Sequence, residues 1–180
     1  ISEQTYVETA LDRDLLPSVL SGEFSLVIIS GNAGDGKTAF LQKLERAARD
    51  EQAVVTPLPN GARFELHGRT FLSNYDGSQD EGDQKNEDVL RTFFAPFQGK
   101  DPAAWTATKE TRLIAINEGR LVDFLEANRA DFEALAALVK EGLLTGEPTQ
   151  GVAVVNLNLR SVVADPQGFD NSILERLLNR

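Results

Sequence analysis

The sequence predicts an α/β fold of three layers, a mainly parallel sheet with helices on both faces. Short β-branched apolar runs bounded by polar or glycine-containing turns predict the strands, and amphipathic stretches between them predict the helices. A glycine-rich segment at the exit of the first strand fixes the direction of the argument toward phosphate chemistry. The chain has 180 residues, 41% hydrophobic and 26% charged, which fits one compact soluble domain over residues 1–180. A net charge of −10 argues against a broad basic surface, so no direct nucleic-acid contact is indicated for this domain. The absence of cysteine removes disulfides, thiolate metal sites and thiol nucleophiles. No apolar run approaches the roughly 18 residues of a membrane span, and no signal peptide is visible, so a cytoplasmic location is expected. The chain starts at Ile1 and has no methionine, and it reads as a piece of something longer.

The elements follow in order. Residues 1–22 are expected to form a leading helical segment. Phe24 to Ser30 is the first strand, Ala53 to Thr56 a short second one, Arg112 to Ile116 a third and Val152 to Asn156 a fourth. After the first strand, Phe40, Leu41, Leu44, Ala47 and Ala48 lie on one face of a helix. Phe132, Leu135, Ala136, Leu138, Val139 and Leu143 form a second such face, and Ser172 to Leu178 a final short helix entered from Asp170. Phe64 to Leu66 and Thr70 to Tyr75, separated by His67, Gly68 and Arg69, predict a β-hairpin inserted at the sheet edge. Asp76 to Asp88 is acidic and polar and reads as an exposed loop, without the spacing of a Ca²⁺-binding EF-hand.

Gly31-Asn32-Ala33-Gly34-Asp35-Gly36-Lys37-Thr38 matches G-x-x-x-x-G-K-[ST], the phosphate-binding P-loop, between a strand and a helix. From this composition an accidental match is about a 0.4% event, so a Gly-rich turn that merely starts a helix is the weaker explanation. Glycines let successive backbone N–H groups turn inward, and the helix N-terminus adds partial positive charge. Lys37 would reach the β- and γ-phosphates of ATP, and the Thr38 hydroxyl would ligate Mg²⁺.

Hydrolysis needs more than binding. Leu113-Ile114-Ala115-Ile116-Asn117-Glu118 resembles a Walker B segment, with Glu118 as general base and Asn117 at the place of the metal-contacting aspartate. An amide there orients metal-bound water but adds no negative charge. The structural alternative for Glu118 is a carboxylate opposing a helix macrodipole. Asn156 ends the next strand and is the candidate γ-phosphate sensor, with Asn158 as runner-up and a strand-ending turn as the plain alternative. Arg120 and Arg160 follow these strands, facing phosphate, a neighbouring subunit or a surface carboxylate. His67 is the single histidine, which excludes a histidine-based zinc site or Ser-His-Asp triad.

Together GNAGDGKT, LIAINEG and VAVVN resemble Walker A, Walker B and sensor 1 of the AAA+ and related additional-strand ATPases, over residues 24–158. The resemblance implies the three-layer P-loop NTPase fold, with the sensor strand lying between the two motif strands. It also implies Mg²⁺-dependent ATP hydrolysis coupled to conformational change in a homo-oligomer or larger assembly. Residues 4–20 would cover the adenine, and the helical lid that follows an AAA+ core is absent from this sequence. More narrowly, GNAGDGKT followed by AINEGRL is similar to ATPases of bacterial defence systems, phosphorothioation-dependent DNA restriction among them. A nucleotide-binding switch with little hydrolysis is the alternative that Asn117 raises. A small-molecule kinase lacks its usual arginine cluster here, and a GTPase lacks an Asn-Lys-x-Asp segment.

Overall fold

The computed structural model describes residues 11–31 and 36–157. A π-helical turn, Leu11–Leu15, runs into helix α1, Leu16–Leu20. Six strands follow: β1 Leu26–Ser30, β2 Thr56–Leu58, β3 Gly61–Leu66, β4 Arg69–Asn74, β5 Glu110–Ile116 and β6 Val152–Asn156. The helices between them are α2 Lys37–Asp50, α3 Asn86–Phe94, α4 Ala103–Thr106, α5 Glu118–Ala127 and α6 Glu133–Thr145. The strands form one mixed sheet in the order β2-β3-β4-β5-β1-β6. β4, β5, β1 and β6 are mutually parallel, β3 pairs antiparallel with β4, and β2 pairs antiparallel with β3.

Strand periodicity sorts the core into two layers. Val27 and Ile29 of β1, with Leu113 and Ala115 of β5, face α2, whose Phe40, Leu41, Leu44 and Ala48 are buried against them. Leu26, Ile28, Ile114 and Ile116 point to the other side, onto Leu90, Phe94, Phe124, Leu135 and Val139 of α3, α5 and α6. Helices therefore cover both faces, the three-layer α/β arrangement. Helix α6 approaches β6 at Gly142, where a Cβ would stand 2.8 Å from Val154 Cγ2. Among the described residues, no helix is long and apolar enough to cross a membrane.

The third and fourth predicted strands are found, as are both long helical faces. Four placements differ from the sequence-based expectation. Ala53 to Thr56 is not a strand: the Ala53 N–H closes the end of α2 on the Ala48 carbonyl, Val54 is 82% exposed, and pairing starts only at Thr56. The β3–β4 hairpin is not appended at the edge, because β4 pairs in parallel with β5 and the edge position falls to β2. Its turn is the pair His67-Gly68, both with positive φ (51° and 78°), which matches the twist of the flanking strands. The 76–88 segment is not uniformly an exposed loop, since Gly77 is buried beside Ile114 and Ile116 and helix α3 opens at Asn86. Finally, β6 does not lie between β1 and β5. It flanks β1 on the opposite side. The expected 172–178 helix, residues 1–10 of the leading segment, and the candidates Asn158 and Arg160 lie outside the described residues.

Candidate functional site

The parallel strands bring their C-terminal ends to one edge. Ser30 is in register with both Ile116 and Asn156, so the strand ends Ser30, Ile116 and Asn156 stand side by side, with Gly31 and Asn117 directly beyond them. Asn74 of β4 pairs with Ile114, and the Gly77 N–H donates to the Ala115 carbonyl at 2.7 Å, which carries Tyr75 and Asp76 to the same edge. Helix α2 leaves β1 over one face while α5 and α6 follow β5 on the other. Such a reversal opens a crevice at the strand ends.

That crevice is a cavity of about 770 Å³ lined by Gly36, Lys37, Thr38, Asp76, Asn117 and Arg120, with Ala39, Tyr75 and Ser78 completing the wall. Gly36 precedes α2 in the left-handed conformation (φ 85°, ψ 15°), which an L side chain adopts only with strain. Gly36, at the N-cap of α2, offers no capping side chain, and the first turn of the helix holds no acid, so the positive end of the helix dipole faces the cavity. Lys37 Nζ donates to the Gly31 carbonyl at 2.9 Å, folding the lysine back along its own loop. The Thr38 hydroxyl donates to the Tyr75 carbonyl at 3.2 Å and so ties α2 to the segment that carries Asp76. Asn32, Ala33, Gly34 and Asp35 of the predicted phosphate loop lie outside the described residues.

Asp76 is the residue that sequence reasoning missed. Its Oδ1 accepts from the Ser78 hydroxyl (2.6 Å) and backbone N–H (3.0 Å), and its Oδ2 from the Gln79 amide (3.0 Å). Burial pushes its pKa up, but the Ser78 and Gln79 bonds and the nearby Lys37 charge outweigh it and hold the carboxyl below its ordinary range. Asn60 donates to the Asp76 carbonyl (2.9 Å) and to Asn74 Oδ1 (3.1 Å), which itself accepts from the Asp76 N–H (2.9 Å). The preceding residue is anchored by its side chain: the Tyr75 hydroxyl donates to both oxygens of the buried Glu45, at 2.8 and 2.7 Å.

Asn117 caps α5 by accepting from the Arg120 N–H, and its amide nitrogen has no partner among the described residues. Glu118 is exposed and accepts from Asn156 Nδ2 at 3.3 Å. The structure thus joins Glu118 to Asn156, and groups Gly36, Lys37, Thr38 and Asn117 around the cavity, whose lining includes neither member of that pair. Ser30, directly before Gly31, is fully buried with its hydroxyl unpartnered among the described residues.

A hard divalent cation fits this donor set. Thr38 and Asp76 offer a hydroxyl and an ionised carboxylate, the oxygen ligands Mg²⁺ takes when phosphates complete its shell. Among the described residues no cluster of three or more His, Cys, Asp or Glu could hold a metal by itself. Comparison with known proteins finds no matching family model, no similar curated protein and no similar solved structure.

Proposed function

We propose that this chain is a P-loop ATPase core that binds ATP with Mg²⁺ in the cavity at the strand ends and hydrolyses it, driving conformational change in a larger assembly. The observation that carries the proposal is the convergence of Lys37, Thr38, Asp76 and Asn117, from separate segments of the chain, on one cavity at the exit of β1. The strand order supports it and redistributes the roles. The additional-strand resemblance implies a strand with a polar end between the P-loop strand and the acidic strand. Here β5 lies between β1 and β4, β5 runs out into Asn117, and β4 runs out into Asp76. In this reading Asp76 takes the metal-side carboxylate role and Asn117 the sensor role.

Thr38 and Asp76 would hold Mg²⁺, which supplies charge neutralisation at the β- and γ-phosphates. Lys37 leaves the Gly31 carbonyl for the phosphate oxygens, a stronger, charge-assisted partner. The Asn117 amide orients the attacking water, and Glu118, the next residue, takes its proton. The water oxygen bonds to the γ-phosphorus as the bond from that phosphorus to the bridging oxygen breaks, the bridging oxygen leaves on ADP, and inorganic phosphate is released.

Calorimetric titration with ATP and Mg²⁺ tests the assignment. Lys37→Ala is expected to lose binding, and Glu118→Gln to keep it while turnover falls at least about a hundredfold. Unchanged binding by the first variant rejects the site, and normal turnover by the second removes Glu118 from its role. A second reading, a nucleotide-dependent switch with little hydrolysis, is favoured by one observation: Glu118 is exposed and engaged with Asn156. Under it, wild type and Glu118→Gln bind alike and neither turns over.

A further inference from the structure

Arg120 occupies a position in the cavity that the roles above leave unused. Its side chain is 26% exposed and lines the same wall as Lys37, Thr38, Asp76 and Asn117. Two of its nitrogens are already fixed: Nε donates to Asn86 Oδ1 at 2.5 Å, and one terminal nitrogen to Glu87 Oε2 at 2.8 Å. The other terminal nitrogen has no partner among the described residues. Glu87 is itself braced, accepting from Asn128 Nδ2 at 2.7 Å, and the Asn128 and Arg120 bonds hold its carboxyl below the ordinary range. Among the described residues the cavity wall carries the cations Lys37 and Arg120 and the carboxylate of Asp76, with Glu87 paired to Arg120 behind it.

We propose that Arg120 is an arginine supplied by the chain to its own site, pre-set by Asn86 and Glu87 to bind the terminal phosphate and so to distinguish a nucleoside triphosphate from a diphosphate. This rests on the cavity being the nucleotide site. A guanidinium held at two nitrogens loses little rotamer freedom when the third meets an anion, an anchorage that a lysine, with a single nitrogen, lacks. Asn86 adds a route for the signal. Its Nδ2 donates to the carbonyls of Gly77 (2.5 Å) and Gln79 (3.0 Å), so the side chain that steadies Arg120 also steadies the loop beginning at Asp76. A phosphate drawing on Arg120 is thereby reported to the acidic loop and to helix α3.

The test is the ratio of affinities for a non-hydrolysable ATP analogue and ADP, each titrated with Mg²⁺ by calorimetry. Arg120→Gln is expected to lower that ratio about tenfold, the value of one charge-assisted hydrogen bond, mainly through the triphosphate. Glu87→Gln, which keeps an acceptor but removes the charge that orients Arg120, is expected to lower it about two- to threefold. A purely structural role would weaken both nucleotides together. Ratios unchanged in both variants, while wild type binds through Lys37, overturn the role of Arg120 alone. Absence of binding in wild type, or binding indifferent to Lys37→Ala, overturns the nucleotide site with it.

Discussion

Asp76 is held ionised by neighbours that act against its own burial, and that balance has a pH signature. Its folded pKa lies below its unfolded one, so its contribution to stability is present above the ordinary carboxylate value of 3.8 and is lost as pH falls through the depressed value. Urea unfolding of wild type and Asp76→Asn is therefore expected to differ at neutral pH and to converge in acid. Tyr75 predicts a larger effect. Burial, followed by the hydrogen bond and the charge of Glu45, pushes the phenol well above its ordinary value, so it stays a donor at all working pH. Tyr75→Phe leaves the Glu45 carboxylate, 5% exposed, without that donor, and is expected to cost about 1–3 kcal/mol in denaturant unfolding. Neither residue announces itself in the sequence. Asp76-Gly77-Ser78 has the composition of a solvated turn, and only the descent of Gly77 onto Ile114 and Ile116 turns it inward.

At the scale of elements, the legible parts were those whose burial is uniform. β1 and β6 are short, almost wholly buried runs, and α2 shows a clean apolar stripe, so periodicity alone locates them. β4 is less plain because Ser73 and Asn74 are buried polar residues satisfied by local partners, the Ser73 hydroxyl by Ala62 and Asn74 by Asn60. A polar strand of this kind reads as an edge hairpin, and its pairing with β5 rests on long-range contacts. The hairpin's close approach at Gly61 gives a sharp test. A Cβ there would lie 1.8 Å from the Ser73 carbonyl oxygen, a backbone atom with no rotamer to escape into. Gly61→Ala is expected to destabilise the fold by about 3 kcal/mol or more, read as a lowered urea midpoint with the β3–β4 amides losing exchange protection.

For the whole molecule, the alternation of strands and helices was enough to predict three layers, but strand order was not readable from it. Order depends on where a chain crosses the sheet, and the sequence reading expected β6 between β1 and β5. The observed order β4-β5-β1-β6 puts the polar end of β5 next to the end of β1 and brings β4, followed by Asp76, to the same cavity. It also ranks the strands by protection. Amide exchange is expected to be slowest in β1 and β5, which are paired on both sides and the most buried of the interior strands, and fastest in β2, a three-residue edge strand exposed along its length. In the proposed reading, a net charge of −10 leaves attraction for phosphate to Lys37, Arg120 and Mg²⁺, so the carboxylate proposed to hold that Mg²⁺, Asp76, is the residue to interrogate. The most direct measurement is the Mg²⁺ dependence of ATP affinity in wild type, Asp76→Asn and Asn117→Asp. The account predicts that Asp76→Asn loses the Mg²⁺ enhancement by about ten- to a hundredfold while Asn117→Asp leaves it within about threefold. A full enhancement in Asp76→Asn, with a marked gain in Asn117→Asp, would contradict it and return the metal to the end of β5.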